Sequence, residues 1–252
     1  MAWADLLAAA PRWIEVAGLL GFMGVVVVRR LASHAPQLSW VRPRMHAALS
    51  VALAGGIATA ADLALSGHLS AWVLARVAAE AIALGLCLTV GRGAAPAGVL
   101  AVLLLPLSGH AVEVNPAAGA VFAEAVHVAS AGMWAGGLVV MATLRPPGGW
   151  GGPAGRDLID RFGRIAVVAV VVMALTGLLR ATEELTGLGD LWTTGYGLVL
   201  LAKGAGVVAM LAVSVLTWRR GLPLARVEAG LALAVMGASA LLAAFPTPPT
   251  QT

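Results

Sequence analysis

This chain of 252 residues has few charged residues and a single cysteine. Charged residues make up 11% of the sequence and hydrophobic residues 60%, whereas roughly a quarter of a soluble domain is charged. Because the chain has too few charged residues for the surface of a soluble domain, we predict an integral membrane protein. The single cysteine, Cys87, excludes an intrachain disulfide and any metal site built from several cysteines.

The few basic residues lie mainly in short segments between apolar runs. This distribution argues against a nucleic-acid partner despite the net charge of +4, because it is the pattern that orients membrane proteins. Twelve of the sixteen basic residues follow the first, third, fifth and seventh apolar runs. By the positive-inside rule these segments are cytoplasmic, and both termini are predicted to be extracytoplasmic.

Apolar runs of a length that can cross a bilayer occur eight times. About twenty apolar residues are needed for one span, and the fourth run is the shortest, with Pro106 near its end. We predict an all-α fold, a polytopic membrane helix bundle of about eight transmembrane helices, forming a single domain over residues 1–252. The runs are 13–28, 45–66, 71–90, 94–108, 117–143, 158–180, 194–218 and 224–245.

Charged side chains inside these runs are candidates for function. Lys203 lies nine residues into an apolar run, where an ammonium is costly unless a partner or a water-filled cavity receives it. Several runs carry such groups, so we predict a polar pathway between helices, in the outer half of the membrane. For Arg76 and Glu80, spaced i and i+4, a purely structural ion pair is the alternative. The predicted pathway residues are Asp62, Arg76, Glu80, Glu124, His127 and Lys203.

Histidine suggests a metal site. His127 lies in the fifth run with Glu124 one turn before it, and His110 ends the fourth run. Neutral imidazole binds copper, zinc or haem iron, and a carboxylate can join the ligands or orient the ring. From these residues we predict His127 as a metal ligand, with Glu124 joining it or orienting its ring, whereas for His110 a ligand and a structural role stay equally open. The alternative is that His127 only hydrogen-bonds a neighbouring helix.

The fifth run also contains a small-residue pattern. Gly132 and Gly136 are four residues apart, with Gly137 next to them and Trp134 between them. Small residues at this spacing let another helix approach closely, so we predict a helix–helix contact here.

These motifs together resemble the bacterial copper resistance protein D (CopD) family. The resemblance covers roughly residues 107–249 and rests on the order and spacing of the set. Its motifs are Ser108-Gly109-His110-Ala111, His127 with Trp134, Gly136, Gly137 and Leu138, Arg161-Phe162-Gly163-Arg164, Thr176-Gly177, Thr194-Gly195-Tyr196-Gly197 with Lys203, and Pro246-Thr247-Pro248-Pro249.

The resemblance implies a protein of the bacterial inner membrane that moves copper, usually into the cytoplasm, without an enzymatic step. It implies copper as Cu(II) or Cu(I), and a periplasmic CopC-like copper chaperone that acts in trans. We expect His110 and His127 to bind the metal, with Lys203 as a counter-charge to Glu124 or Glu80. Two alternatives stay open: a haem-binding membrane redox protein, and an assembly factor that delivers copper to an oxidase. Homo-oligomerisation and the coupling ion also stay open.

Overall fold

The computed structural model describes residues 3–91, 93–108, 117–185, 187–220 and 224–244. Every regular element in these ranges is helical, which confirms the predicted all-α fold. The α-helices are α1 (Trp3–Ser33), α2 (Met45–Leu65), α3 (Ala71–Thr89), α4 (Ala94–Leu104), α5 (Ala117–Ala131), α6 (Gly137–Thr143), α7 (Pro153–Glu184), α8 (Asp190–Thr193), α9 (Gly195–Arg220) and α10 (Ala225–Ala244).

Long apolar helices make the chain a multi-pass membrane protein. A π turn (Gly132–Gly136) joins α5 to α6 in one continuous rod, and a 3-10 turn (Leu105–Ser108) extends α4. Six segments are long and apolar enough to cross a bilayer, namely 45–65, 71–89, 117–143, 153–182, 195–217 and 225–242. The apolar helix 94–108 is shorter. The remaining predicted run lies within α1.

Helix α1 is longer than its apolar run and lies at the centre of the bundle. It begins before Trp13, because charged residues break the apolar pattern but still form helical backbone hydrogen bonds. Leu19, Phe22 and Val28 are completely buried. The helix packs against α2 in the first half of the chain and against α6 and α10 in the second. Both halves therefore share one apolar core.

The π turn is where α1 approaches most closely. A Cβ at Gly136 would collide with the main-chain carbonyl of Leu20, and one at Gly132 would meet Met23 at 2.7 Å. Trp134 is only 2% exposed. The predicted helix–helix contact at these glycines is confirmed, with α1 as the partner helix. A π turn adds a residue to the helical circuit and is frequent at functional sites.

The helix order brings the ends of several helices together. The first half of α1 meets the first half of α3 and the turn after α4, and the start of α5 meets the end of α7. The polar residues named from the sequence therefore gather mostly in one half of the bundle. That this half faces outward stays a prediction.

Candidate functional site

One group of polar residues joins α1, α3 and the turn after α4; we call Glu15, Arg76, Glu80 and Ser108 the α1–α3 cluster. Arg76 donates its Nε–H to Oε1 of Glu15 at 2.6 Å, and the two side chains are 1% and 0% exposed. Nη1 of Arg76 donates to the hydroxyl oxygen of Ser108. Such a buried pair needs good geometry and further hydrogen bonds to offset lost hydration. The cluster thereby ties α1 to α3.

Glu80 is fully buried beside Glu15 in this cluster. Neither of its carboxyl oxygens accepts a hydrogen bond from a described residue. The Arg76–Glu80 ion pair within α3, which the sequence left open, is therefore not formed. Arg76 pairs instead with Glu15, whose carboxylate is fully buried and needs a positively charged partner. Gly56 makes room for both acids, since a Cβ there would collide with Glu80 and lie 3.3 Å from Oε1 of Glu15.

A second group joins α5 to α7; we call Glu124, His127, Thr176 and Arg180 the α5–α7 cluster. Nδ1 of His127 lies 3.0 Å from the carbonyl oxygen of Met173 and 3.2 Å from Oγ1 of Thr176. Thr176 donates its own hydroxyl proton to the α7 backbone, at 2.8 Å from Val172. Both neighbours of Nδ1 thus act as acceptors, so Nδ1 carries a proton. In the neutral ring this leaves the lone pair on Nε2.

The adjacent glycine explains the Thr-Gly pair of the motif. A Cβ at Gly177 would lie 3.1 Å from Cε1 of His127. A larger residue would therefore press on the imidazole, whereas glycine lets the ring lie against α7. Thr176 orients the ring and Gly177 leaves it space.

Positive charge surrounds His127. On the same cluster Arg180 and Glu124 form an ion pair, with 3.2 Å between Nε and Oε2, and side-chain exposures of 9% and 29%. The charges of Lys203 on α9 and of Arg180 both act on His127. Charged side chains of α7 and α9 therefore both influence this imidazole on α5.

Arg12 connects the two clusters electrostatically. Its charge interacts with Glu15 and Arg76 of the α1–α3 cluster and with Glu124 of the α5–α7 cluster. Sequence reasoning passed over both Arg12 and Glu15. The available signal was that Glu15 is an acid inside a predicted span, a position where charged residues are rare and functional.

The remaining predicted residues take different places. Asp62 is exposed near the end of α2, and Tyr196 is buried at the start of α9. A Cβ at Gly197 would collide with the backbone of α8, and one at Gly137 with the ring of Phe162. Both glycines therefore serve packing.

The predicted ligand His110 lies outside the described residues. Across the described ranges, no group of three or more His, Cys, Asp or Glu side chains is placed to hold a metal ion. His127 and Glu124 are the two predicted ligands that the structure brings to one cluster.

Comparisons with known proteins agree with the sequence motifs. Residues 156–244 match the family model described as copper resistance protein D. A stretch of 153 residues is 27% identical to the copper transport protein CutJ of Bacillus subtilis (strain 168), covering 56% of this chain and 28% of CutJ. The chain thus matches less than a third of the length of this relative. No solved structure gives a significant match.

The family match covers much of the site but not all of it. It includes Thr176, Gly177 and Lys203, while Glu124 and His127 precede it. The resemblance seen in the motifs is confirmed. Residues 156–244 are therefore similar to the copper resistance protein D family.

Proposed function

We propose that this protein moves copper ions across the bacterial inner membrane into the cytoplasm, as part of copper homeostasis or resistance. The family match and the printed name of CutJ support copper as the substrate. The proposal contains no enzymatic step. It treats residues 1–252 as one CopD-like domain, because α1 packs against helices from both halves of the chain.

The observation that carries the proposal is the orientation of His127. A metal-binding histidine donates its other ring N–H to a carbonyl or a similar acceptor, which fixes the tautomer. Met173 and Thr176 accept from Nδ1 in this way, and Nε2 is left with its lone pair for a metal ion.

Further ligands come from nearby in the proposal. Glu124 is three residues before His127, so both side chains lie on one helix face. The carboxylate has a second oxygen beyond the one that faces Arg180. His110, which lies outside the described residues, completes the proposed set. Imidazole and carboxylate together suit Cu(II), and two imidazoles also serve Cu(I).

The positive charges near His127 favour transient binding of a copper ion over tight binding. A copper ion at His127 meets the positive charges of Arg180 and Lys203, and only Glu124 offsets them within the α5–α7 cluster. A transport site must bind the ion strongly enough for it to enter and weakly enough for it to leave. Lys203 is thus proposed to help release the ion.

We further propose that a periplasmic CopC-like chaperone supplies the copper in trans, at the membrane face where both clusters lie. Lipid surrounds the exposed apolar surfaces of α7 and α9.

Copper uptake into proteoliposomes separates transport from an assembly role, and a Soret band in the purified protein would instead support haem.

The test is copper uptake into proteoliposomes by wild-type protein, His127→Ala and His34→Ala. We expect His127→Ala to lose about tenfold or more in uptake, since losing even an outer partner of a ligand costs about 10- to 100-fold in affinity. His34 is exposed and bonds the carbonyl of Arg30 at the opposite end of α1, so His34→Ala is the matched control. Equal uptake by all three proteins would remove His127 from the site.

A further inference from the structure

Three buried carboxyl oxygens of the α1–α3 cluster lack a hydrogen-bond donor among the described residues. They are Oε2 of Glu15 and both oxygens of Glu80. Both side chains are 0% exposed. Burying an ionised group without donors is among the most costly arrangements in a protein interior. Glu80 therefore needs an explanation that the Arg76–Glu15 ion pair does not provide.

In this geometry no described group donates a hydrogen bond to a second ionised acid at Glu80. Its direct charged neighbours are Glu15, which repels a second negative charge, and Arg76, whose Nε–H and Nη1 are already directed to Glu15 and Ser108. Helices α2 and α4 and the turn after α4 pack against α3. Of these, α4 contains no ionisable residue, and Asp62 of α2 is exposed.

One proton satisfies this arrangement. If Glu80 is protonated, it gains an O–H donor, and Glu15 is the acid that faces the same space beside Gly56. The O–H can then donate to Oε2 of Glu15, the oxygen that Arg76 leaves unpartnered. Gly56 keeps the space into which both carboxyl groups project.

We propose that Glu15 and Glu80 form a proton-binding site, in which Glu80 holds an exchangeable proton and donates it in a hydrogen bond to Glu15. On release, the O–H bond of Glu80 breaks, the proton goes to water, and the carboxylate keeps the electron pair. Arg76 lies one turn from Glu80 on the same helix and can then divide its donors between the two acids.

The site is connected to the candidate copper site through charge. Arg12 interacts with Glu15 and with Glu124, so a change of charge in one cluster is felt in the other. Reciprocal coupling of this kind links proton and metal occupancy. This second step rests on the proposed function, whereas the proton site itself does not.

Infrared difference spectroscopy on purified protein, without copper, tests the proton site. Raising the pH should remove the C=O band of a protonated carboxyl group in the wild type. Glu80→Gln should lack this band and remain folded, because the amide can donate to Glu15 as the protonated acid does. Asp62→Asn, a change at an exposed acid of α2, should keep the band.

Two results would overturn the proposal. One is that Glu80→Gln and Glu15→Gln both retain the full band; the other is that wild-type protein shows no protonated carboxyl group at neutral or mildly acidic pH. A band that responds to sodium at constant pH would also reject it, in favour of a cation site.

A separate uptake experiment tests the coupling. Proteoliposomes with and without a pH gradient should show gradient-dependent copper uptake for the wild type, and uptake independent of the gradient for Glu80→Gln. Gradient-independent wild-type uptake would reject the coupling. If the wild type moves no copper, the proposed function fails while the infrared result still decides the proton site.

Discussion

At the scale of single residues, the main finding is that Thr176 and Gly177 together position the imidazole of His127. Thr176 donates its proton to the α7 backbone and turns its oxygen to His127, while Gly177 leaves room for the ring. The motif thus acts through a helix that does not carry the histidine. Its residues position the imidazole, and none of them needs to contact the metal ion.

Thr176 provides a prediction at this scale. Thr176→Val removes one of two acceptors at Nδ1 of His127 and should weaken copper affinity by several-fold up to about tenfold, the lower part of the range for outer partners. Thr176→Ser keeps the hydroxyl group and should restore wild-type affinity. Equilibrium dialysis with copper measures both. If Val and Ser variants bind alike, the hydroxyl group does not orient the ring.

At the scale of helices, the π turn and α1 form a close backbone contact. Gly136 faces the carbonyl of Leu20, and Trp134 is buried next to it. The same rod carries His127 two turns earlier. The contact therefore fixes the position of the α5–α6 rod relative to α1. It thereby also fixes where His127 contacts α7.

Gly136→Ala should be destabilising because the new methyl group meets main-chain atoms, which cannot rotate away. Overpacking a tight core costs typically about 1–3 kcal/mol, so we expect a lower midpoint of thermal unfolding in detergent. Gly85→Ala is the control: it lies on α3 with no atom within 4 Å of the added Cβ, and helix propensity favours alanine there. An unchanged midpoint for Gly136→Ala would show that α1 can shift away.

At the scale of the whole molecule, the two polar clusters lie in the same half of a mostly apolar bundle. Arg12 connects them across α1, α3, α5 and α7, and Lys203 extends the set to α9. Polar groups within a membrane are tolerated when they face one another inside the bundle. The arrangement supports one polar region within that half of the bundle.

Which face that is can be measured. In a Cys87→Ala background, a cysteine at Thr250 should react with an impermeant reagent added outside the cell, and a cysteine at Arg156 should not, since basic segments stay cytoplasmic. Cysteine in place of Arg219 gives a second cytoplasmic control. The reverse labelling pattern would place both clusters near the cytoplasm and would contradict copper entry from a periplasmic donor.

Much of the fold follows from the sequence because bilayer thickness fixes helix length. Apolar runs predicted the positions of α2, α3, α5–α6, α7, α9 and α10 closely. The start of α1 was missed, because hydropathy reports burial in lipid and not backbone hydrogen bonding. The proposed metal site was only partly open to comparison: His127 and Glu124 lie in one cluster, while His110 lies outside the described residues.

The sequence by itself determined that this is a multi-pass helical membrane protein and that its second half is similar to copper resistance protein D, since composition, run length and motif spacing are local properties. Tertiary structure alone decided the partners: Glu15 for Arg76, Glu124 for Arg180, and Met173 and Thr176 for His127. An ion pair depends on which helices are neighbours and on how each is rotated. Hydropathy carries neither piece of information, because a charged residue interrupts an apolar run equally whichever helix it faces.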